Sequence, residues 1–265
     1  MTGLEKIKLG TDPERGWRYY SIHLTGTQVL KEFFLVSKYQ QCIKFAFKHH
    51  ERTEKNIKLL ERTGRSFPYK KEVLANANEL SAWAQKMDCE SYHDLYINAF
   101  IGMWASFESG VENIIRDYVF NDKNVALVLS GLFKPGRYKI EEWPWPIETC
   151  MELAQKIDAK AKIETKDGGL RYANRLQKMF SWIGINLNLT DSSKDALDEA
   201  NRVRNILLHR YGQVSEKDAH EFPILQNWVG GVMPIDKKKF LSYYNGIIEV
   251  LTMAVKNNAF KKDNA

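Results

Sequence analysis

The chain has 265 residues, 44% of them hydrophobic and 27% charged, a balance that admits a buried core and excludes a disordered polymer. Its net charge of +6, from 39 Lys and Arg against 33 Asp and Glu, permits a phosphate-rich partner without demanding one. The three cysteines, Cys42, Cys89 and Cys150, form no CxxC pair and stand at no metal-ligand spacing from a histidine, so a reducing cytoplasm is expected and a zinc framework is not.

The N-terminus lacks the apolar stretch of a signal peptide, and the longest apolar runs, such as Val125-Ala126-Leu127-Val128-Leu129, are far too short to cross a bilayer. Residues 1 to 24, with Gly10, Pro13 and Gly16, are expected as an irregular lead-in. Thr25 or Thr27 then caps a long helix to about residue 62, with Gly64 placed to stop it. The first half of that helix is apolar at helical spacing; its second half, 48 to 58, is polar and either projects or meets a partner chain. A second helix is expected over 70 to 87.

The clearest amphipathic helix covers 94 to 119, where Phe100, Trp104, Phe107, Val111, Ile115 and Tyr118 follow the helical period. A connector rich in turn residues follows from 121 to 147. Helical patterns resume at 147 to 163, 169 to 184 and 192 to 211. The apolar segment 224 to 235, split by Gly230-Gly231, reads as a small β-hairpin. Asp236 is placed to cap a last helix to about residue 256, ahead of a polar tail, 261 to 265. The expected fold class is all-α, with one small hairpin.

The helix expected at 192 to 211 reads SSKDALDEANRVRNILLHRY and is followed by Gly212. At about 100° per residue, Ala196, Ala200, Val203 and Leu207 share one face, and Asp198, Arg202, Asn205 and His209 stack on the opposite one, with Arg204 beside that strip. His209 lies near the helix C-terminus, where the dipole favours a cationic imidazole, and an arginine fork beside it suits a phosphate. Polar strips are more often solvated faces, and Asn205 with His209 equally makes a plain i, i+4 surface pair.

Arg204-Asn205-x-x-x-His209 resembles the R-x4-6-H motif of the HEPN superfamily, in the form with Asn directly after Arg. The surrounding EANRVRNILLHRYG resembles the third helix of those four-helix domains, and the order of elements from about 92 to 257 is similar as well. The resemblance implies a HEPN-like helical domain over 91–260 with an N-terminal helical extension over 1–90. It implies a homodimer whose motif helices face one another, so that Arg204 and His209 of both chains line one cleft. The implied reaction is metal-independent, cofactor-free endoribonuclease cleavage of RNA, with attack of the ribose 2′-hydroxyl on the adjacent phosphate. His209 handles the proton, Arg204 stabilises the phosphorane charge and Asn205 orients groups around it. Arg202, Arg210 and Tyr211 are the expected secondary contacts to substrate. A role as a toxin or phage-defence effector, with an inhibitor or regulatory protein as a further partner, also rests on the resemblance. The alternative is a HEPN-like module that binds RNA, nucleotide or protein without cleaving; a third reading is a helical scaffold with residues 25 to 62 as a docking arm.

Glu108 falls inside the apolar face of the 94 to 119 helix, where a carboxylate is costly unless paired. It either meets Arg204 or Arg202, orienting the arginine for phosphate, or turns far enough to reach water. His49 and His50 diverge by about 100° on a helix and are expected as solvated side chains. Trp143-Pro144-Trp145-Pro146 reads as a rigid plug over the core in preference to a base-stacking platform, and Lys237-Lys238-Lys239 as a solvated run in preference to an RNA contact.

Overall fold

The computed structural model describes residues 13–165, 171–210 and 212–259; the start of the expected lead-in and the polar tail lie outside them. The described chain is all-helical, with ten α-helices, two short 3-10 segments and no β-strand among the described residues. It divides into two compact units that interleave along the sequence. One takes in the described residues of 1–30, 102–233 and 241–265, the other residues 31–101 and 234–240.

Helix α1 (Pro13–Ala46) starts at a proline, which suits a first helical turn because its missing N–H needs no intrahelical partner there. The expected irregular lead-in is therefore helical from residue 13. Thr25 and Thr27 do not act as caps: their hydroxyls donate to the carbonyls of Ser21 (2.6 Å) and His23 (2.9 Å), one turn back in an unbroken helix.

The single helix expected to residue 62 is interrupted. Helix α1 stops at Ala46 and α2 (His49–Arg62) starts after a two-residue turn. The break is held from α3 (Lys70–Cys89), where the buried Ser81 hydroxyl donates to the Ala46 carbonyl (3.2 Å) and accepts from the His50 amide (3.1 Å). Those are backbone groups that a continuous helix satisfies by itself and a broken one leaves open. Helix α2 packs on α3, with Ile57, Ala77 and Ala84 buried. Gly64, at φ +73, follows the end of α2 as expected.

In the larger unit, residues 102–121 of α4 (His93–Asn121) bury Trp104, Phe107, Val111, Ile115 and Tyr118, the spacing read from the sequence. At Gly110 a Cβ would collide with the Thr25 side chain of α1, so the absence of a side chain lets the two helices approach. Part of the expected connector is also helical. Asp122 accepts the amides of Asn124 (3.0 Å) and Val125 (3.3 Å) and so caps α5 (Lys123–Ser130), which buries Val125, Ala126 and Leu129. The indole N–H groups of Trp143 and Trp145 donate to the carbonyls of Val119 (3.1 Å) and Lys139 (2.9 Å), anchoring the Trp-Pro segment as a plug.

Helices α6 (Ile147–Glu164), α7 (Tyr172–Trp182) and α8 (Asp191–Arg210) pack in succession. Helix α9 (Glu216–Glu221) opens on a capping box formed by Ser215 and Asp218. Asp236 accepts the Lys239 amide (2.8 Å) and caps the closing helix, α10 (Lys237–Ala259), as expected. Glu249 of α10 takes the amide (2.8 Å) and hydroxyl (2.9 Å) of Thr190, together with the Ser193 hydroxyl, at the N-terminus of α8.

The expected β-hairpin does not form among the described residues. Pro223–Trp228 makes a 3-10 segment, and the remainder bonds to the chain just after α8. The Val214 amide donates to the Gly231 carbonyl (3.1 Å), the Gly230 amide to the Val214 carbonyl (2.9 Å), and the Met233 amide to the Gly212 carbonyl (3.2 Å). Backbone groups that a hairpin would pair with each other are thus taken by residues 212 to 214. No described helix is long and apolar enough to cross a membrane.

Removing the hydroxyl that bridges the α1–α2 break leaves two backbone groups without their buried partner. Ser81→Ala is expected to lower stability by about 1–3 kcal/mol in urea unfolding, with unchanged helical circular dichroism at rest.

Candidate active site

Helix α8 carries the motif, and most of its polar strip is engaged within the chain. Asp198 is 5% exposed and accepts the Ala173 amide (2.8 Å) in the first turn of α7, so it caps a neighbouring helix. Arg202 pairs with Asp218 (2.6 Å) and Glu221 (2.7 Å) of α9. Arg210 pairs with the same Asp218 and donates to the Ser215 hydroxyl (3.0 Å). Both arginines expected as substrate contacts therefore hold carboxylates of α9. Tyr211, the third, lies outside the described residues.

Asp218 explains this arrangement. It is 1% exposed, and burial alone raises a carboxyl, but hydrogen bonds from the Ser215 hydroxyl and amide, with the charges of Arg202 and Arg210, hold it below its ordinary value. Glu249 is also held low, because the hydrogen bonds from Ser193 and Thr190 outweigh its burial.

Arg204 faces elsewhere. Its Nη2 donates to Oε2 of Glu108 (2.7 Å) and its Nη1 to Oδ1 of Asn205 (2.9 Å), so a carboxylate, a guanidinium and an amide form one connected set. Glu108 is thus paired with Arg204. His209 is exposed and makes no hydrogen bond or ion pair among the described residues. Five residues past Arg204, it projects about 140° away around α8 and roughly 7.5 Å further along it. The structure thus brings Arg204, Asn205 and Glu108 together, while His209, one turn past Asn205, bonds to none of them.

Arg204 and Glu108 also border a polar cleft of about 280 Å³ between α4, α6, α7 and α8. Its other polar walls are Glu112, Gln155, Asp158, Tyr172 and Arg175, and Val111, Ile115, Ala154, Ile157 and Met179 form its apolar lining. Arg175 approaches Asp158 (3.4 Å), while Glu112 has no ion-pair or hydrogen-bond partner among the described residues. Burial, then the charges of Glu108 and Asp158, raise Glu112 above the usual carboxylate value. Burial and the same two carboxylates push Tyr172 well above the usual phenol value.

None of these five residues stands out in the sequence. Glu112 was legible in principle, one helical turn past Glu108 on the same face, but Asp158, Tyr172 and Arg175 come from other helices with no motif to join them. Among the described residues no group of three or more His, Cys, Asp or Glu side chains is placed to hold a metal ion. The smaller unit has an apolar groove of about 700 Å³, lined in part by Tyr39, Ile43, Phe45, Leu80 and Trp83, and no expected site residue borders it. Comparison with protein-family models, with curated proteins and with solved structures finds no match for this chain.

Asp218→Asn removes the charge that holds Arg202 and Arg210, and is expected to cost about 3 kcal/mol at pH 7. Since the folded carboxyl is held low, its contribution is complete above the unfolded-state value of about 3.9 and is lost as pH falls through the folded value. Urea unfolding is therefore expected to show the gap between wild type and variant narrowing once the pH drops below about 4.

Proposed function

We propose that the chain is a HEPN-like, metal-independent endoribonuclease whose site is completed by a second copy of itself. The observation that carries this reading is the Glu108–Arg204–Asn205 set at the head of the motif, with an exposed imidazole at its end. Glu108 holds one edge of the Arg204 guanidinium, and a guanidinium so held keeps further N–H donors for a phosphate oxygen. His209 is open to solvent and free to exchange protons with a ligand.

In the reaction we propose, the 2′-hydroxyl loses its proton to one His209 and attacks the adjacent phosphorus. The 5′-oxygen leaves with a proton from the second His209, giving a 2′,3′-cyclic phosphate and a 5′-hydroxyl. Arg204 neutralises the charge gathering on the equatorial oxygens, and Asn205 fixes the guanidinium plane. The dimer rests on the resemblance, and the divergence of Arg204 and His209 around α8 agrees with it: facing motif helices would set the imidazole of one copy toward the arginine of the other. The cytoplasmic setting we propose fits three free thiols. Control by an inhibitor or regulatory protein would follow from the danger of unrestrained RNA cleavage.

A second reading, a module that binds RNA, nucleotide or protein without cleaving it, is favoured by one observation. His209 has no described partner to set its tautomer, as catalytic imidazoles commonly have.

The test is cleavage of mixed RNA in EDTA. Wild type is expected to leave cyclic-phosphate ends, and Arg204→Ala and His209→Ala each to slow cleavage by about 100-fold or more. Undiminished cleavage by both variants contradicts the proposal, and RNA binding by wild type without cleavage supports the second reading.

A further inference from the structure

The cleft beside Arg204 has unsatisfied chemistry of a particular kind. Of its three carboxylates, Glu108 is engaged by Arg204 and Asp158 faces Arg175, which leaves Glu112 with two acceptor oxygens and no partner among the described residues. Tyr172 adds a second, independent sign. Its ring is packed against Trp104, at 5.2 Å between centroids, and the residue is only 5% exposed. Yet its hydroxyl makes no hydrogen bond among the described residues and lies in the field of Glu108, Asp158, Arg175 and Arg204. A phenol hydroxyl that opens on a cleft without a protein partner is free to donate to a ligand there.

The ligand's shape and donor pattern follow from these groups. The volume, about 280 Å³, lies just under the range of drug-sized sites, about 300–1,000 Å³, and suits a single heterocycle. Val111, Ile115, Ile157 and Met179 supply aliphatic surface for its faces. A carboxylate only accepts, so the edge that meets Glu112 must present adjacent N–H donors, and an acceptor is wanted for the Tyr172 hydroxyl. Among RNA bases, guanine alone offers two neighbouring donors, N1–H and the N2 amino group, beside an acceptor, O6. Along that edge adenine has one donor beside one acceptor, cytosine one donor beside two acceptors, and uracil one donor between two acceptors.

We propose that this cleft is a guanine-binding subsite in which Glu112 accepts from N1–H and N2–H and the Tyr172 hydroxyl donates to O6. The inference rests on the reading of this chain as an RNA-cleaving protein, and it names the base next to the phosphate that Arg204 would hold. Unpaired bases in RNA are commonly recognised on this edge. Seating the donors against Glu112 also relieves its repulsion by Glu108 and Asp158.

The experiment is equilibrium binding of the four nucleoside 5′-monophosphates to the full chain, which does not depend on cleavage. GMP is expected to bind at least about tenfold more tightly than AMP, CMP or UMP. Glu112→Gln, which replaces one acceptor oxygen by a donor, is expected to abolish that preference, and Tyr172→Phe to weaken GMP binding several-fold in a chain whose core is unchanged. Equal binding of all four nucleotides, or a GMP preference surviving in Glu112→Gln, overturns the proposal. Tighter binding of free arginine than of GMP also overturns it and assigns the cleft to a protein guanidinium. A GMP preference without RNA cleavage leaves the subsite standing while the nuclease reading fails; RNA cleavage with no preference in binding does the reverse.

Discussion

Asp218 carries a charge at 1% exposure, so it must find donors inside the protein, and it finds them in Ser215, Arg202 and Arg210. The two arginines flank the segment from Arg204 to His209, which ties the C-terminal half of α8 to α9. Glu249 performs the matching task at the other end, gathering the donors of Thr190 and Ser193. With Asp198 spent on the first turn of α7, the helix is fixed in rotation by charged contacts on several sides. Arg204, Asn205 and His209 are the motif residues that these contacts leave available.

That rotation directs Arg204 toward α4, where Glu108 meets it. Each side chain of this pair is 29% exposed, and such a pair adds at most about 1 kcal/mol to stability. Its effect is therefore on direction: it sets the guanidinium plane at the mouth of a polar cleft and leaves N–H donors for a ligand. His209 emerges on another side of the same helix. In the proposed dimer a second copy would bring the two halves of the chemistry together, and the exposed Leu208 beside His209 offers apolar surface of the kind such an interface buries.

The helices were legible wherever one face repeats without interruption. In α4 the spacing from Trp104 to Tyr118 announces both the helix and its buried face, and Asp236 announces the start of α10. What failed to show was contact at long range. The turn between α1 and α2 exists because Ser81 can satisfy it, and nothing near residue 47 says so. The 224 to 235 segment carries hairpin signals, but its backbone bonds go to residues 212 to 214. On α8, Asp198, Arg202 and Arg210 look in sequence like the rest of a solvated strip; their partners in α7 and α9 distinguish them. Glu108 was readable as a carboxylate in need of a partner, whereas the cleft behind it depends on Asp158, Tyr172 and Arg175 from separate helices.

A site assembled from two copies would make specific activity follow molecular mass over a dilution series. RNA cleavage per chain would be measured from micromolar protein downward, with sedimentation at the same concentrations. Activity per chain is expected to fall in step with the loss of the dimer. Constant activity per chain from a species of monomer mass would contradict it.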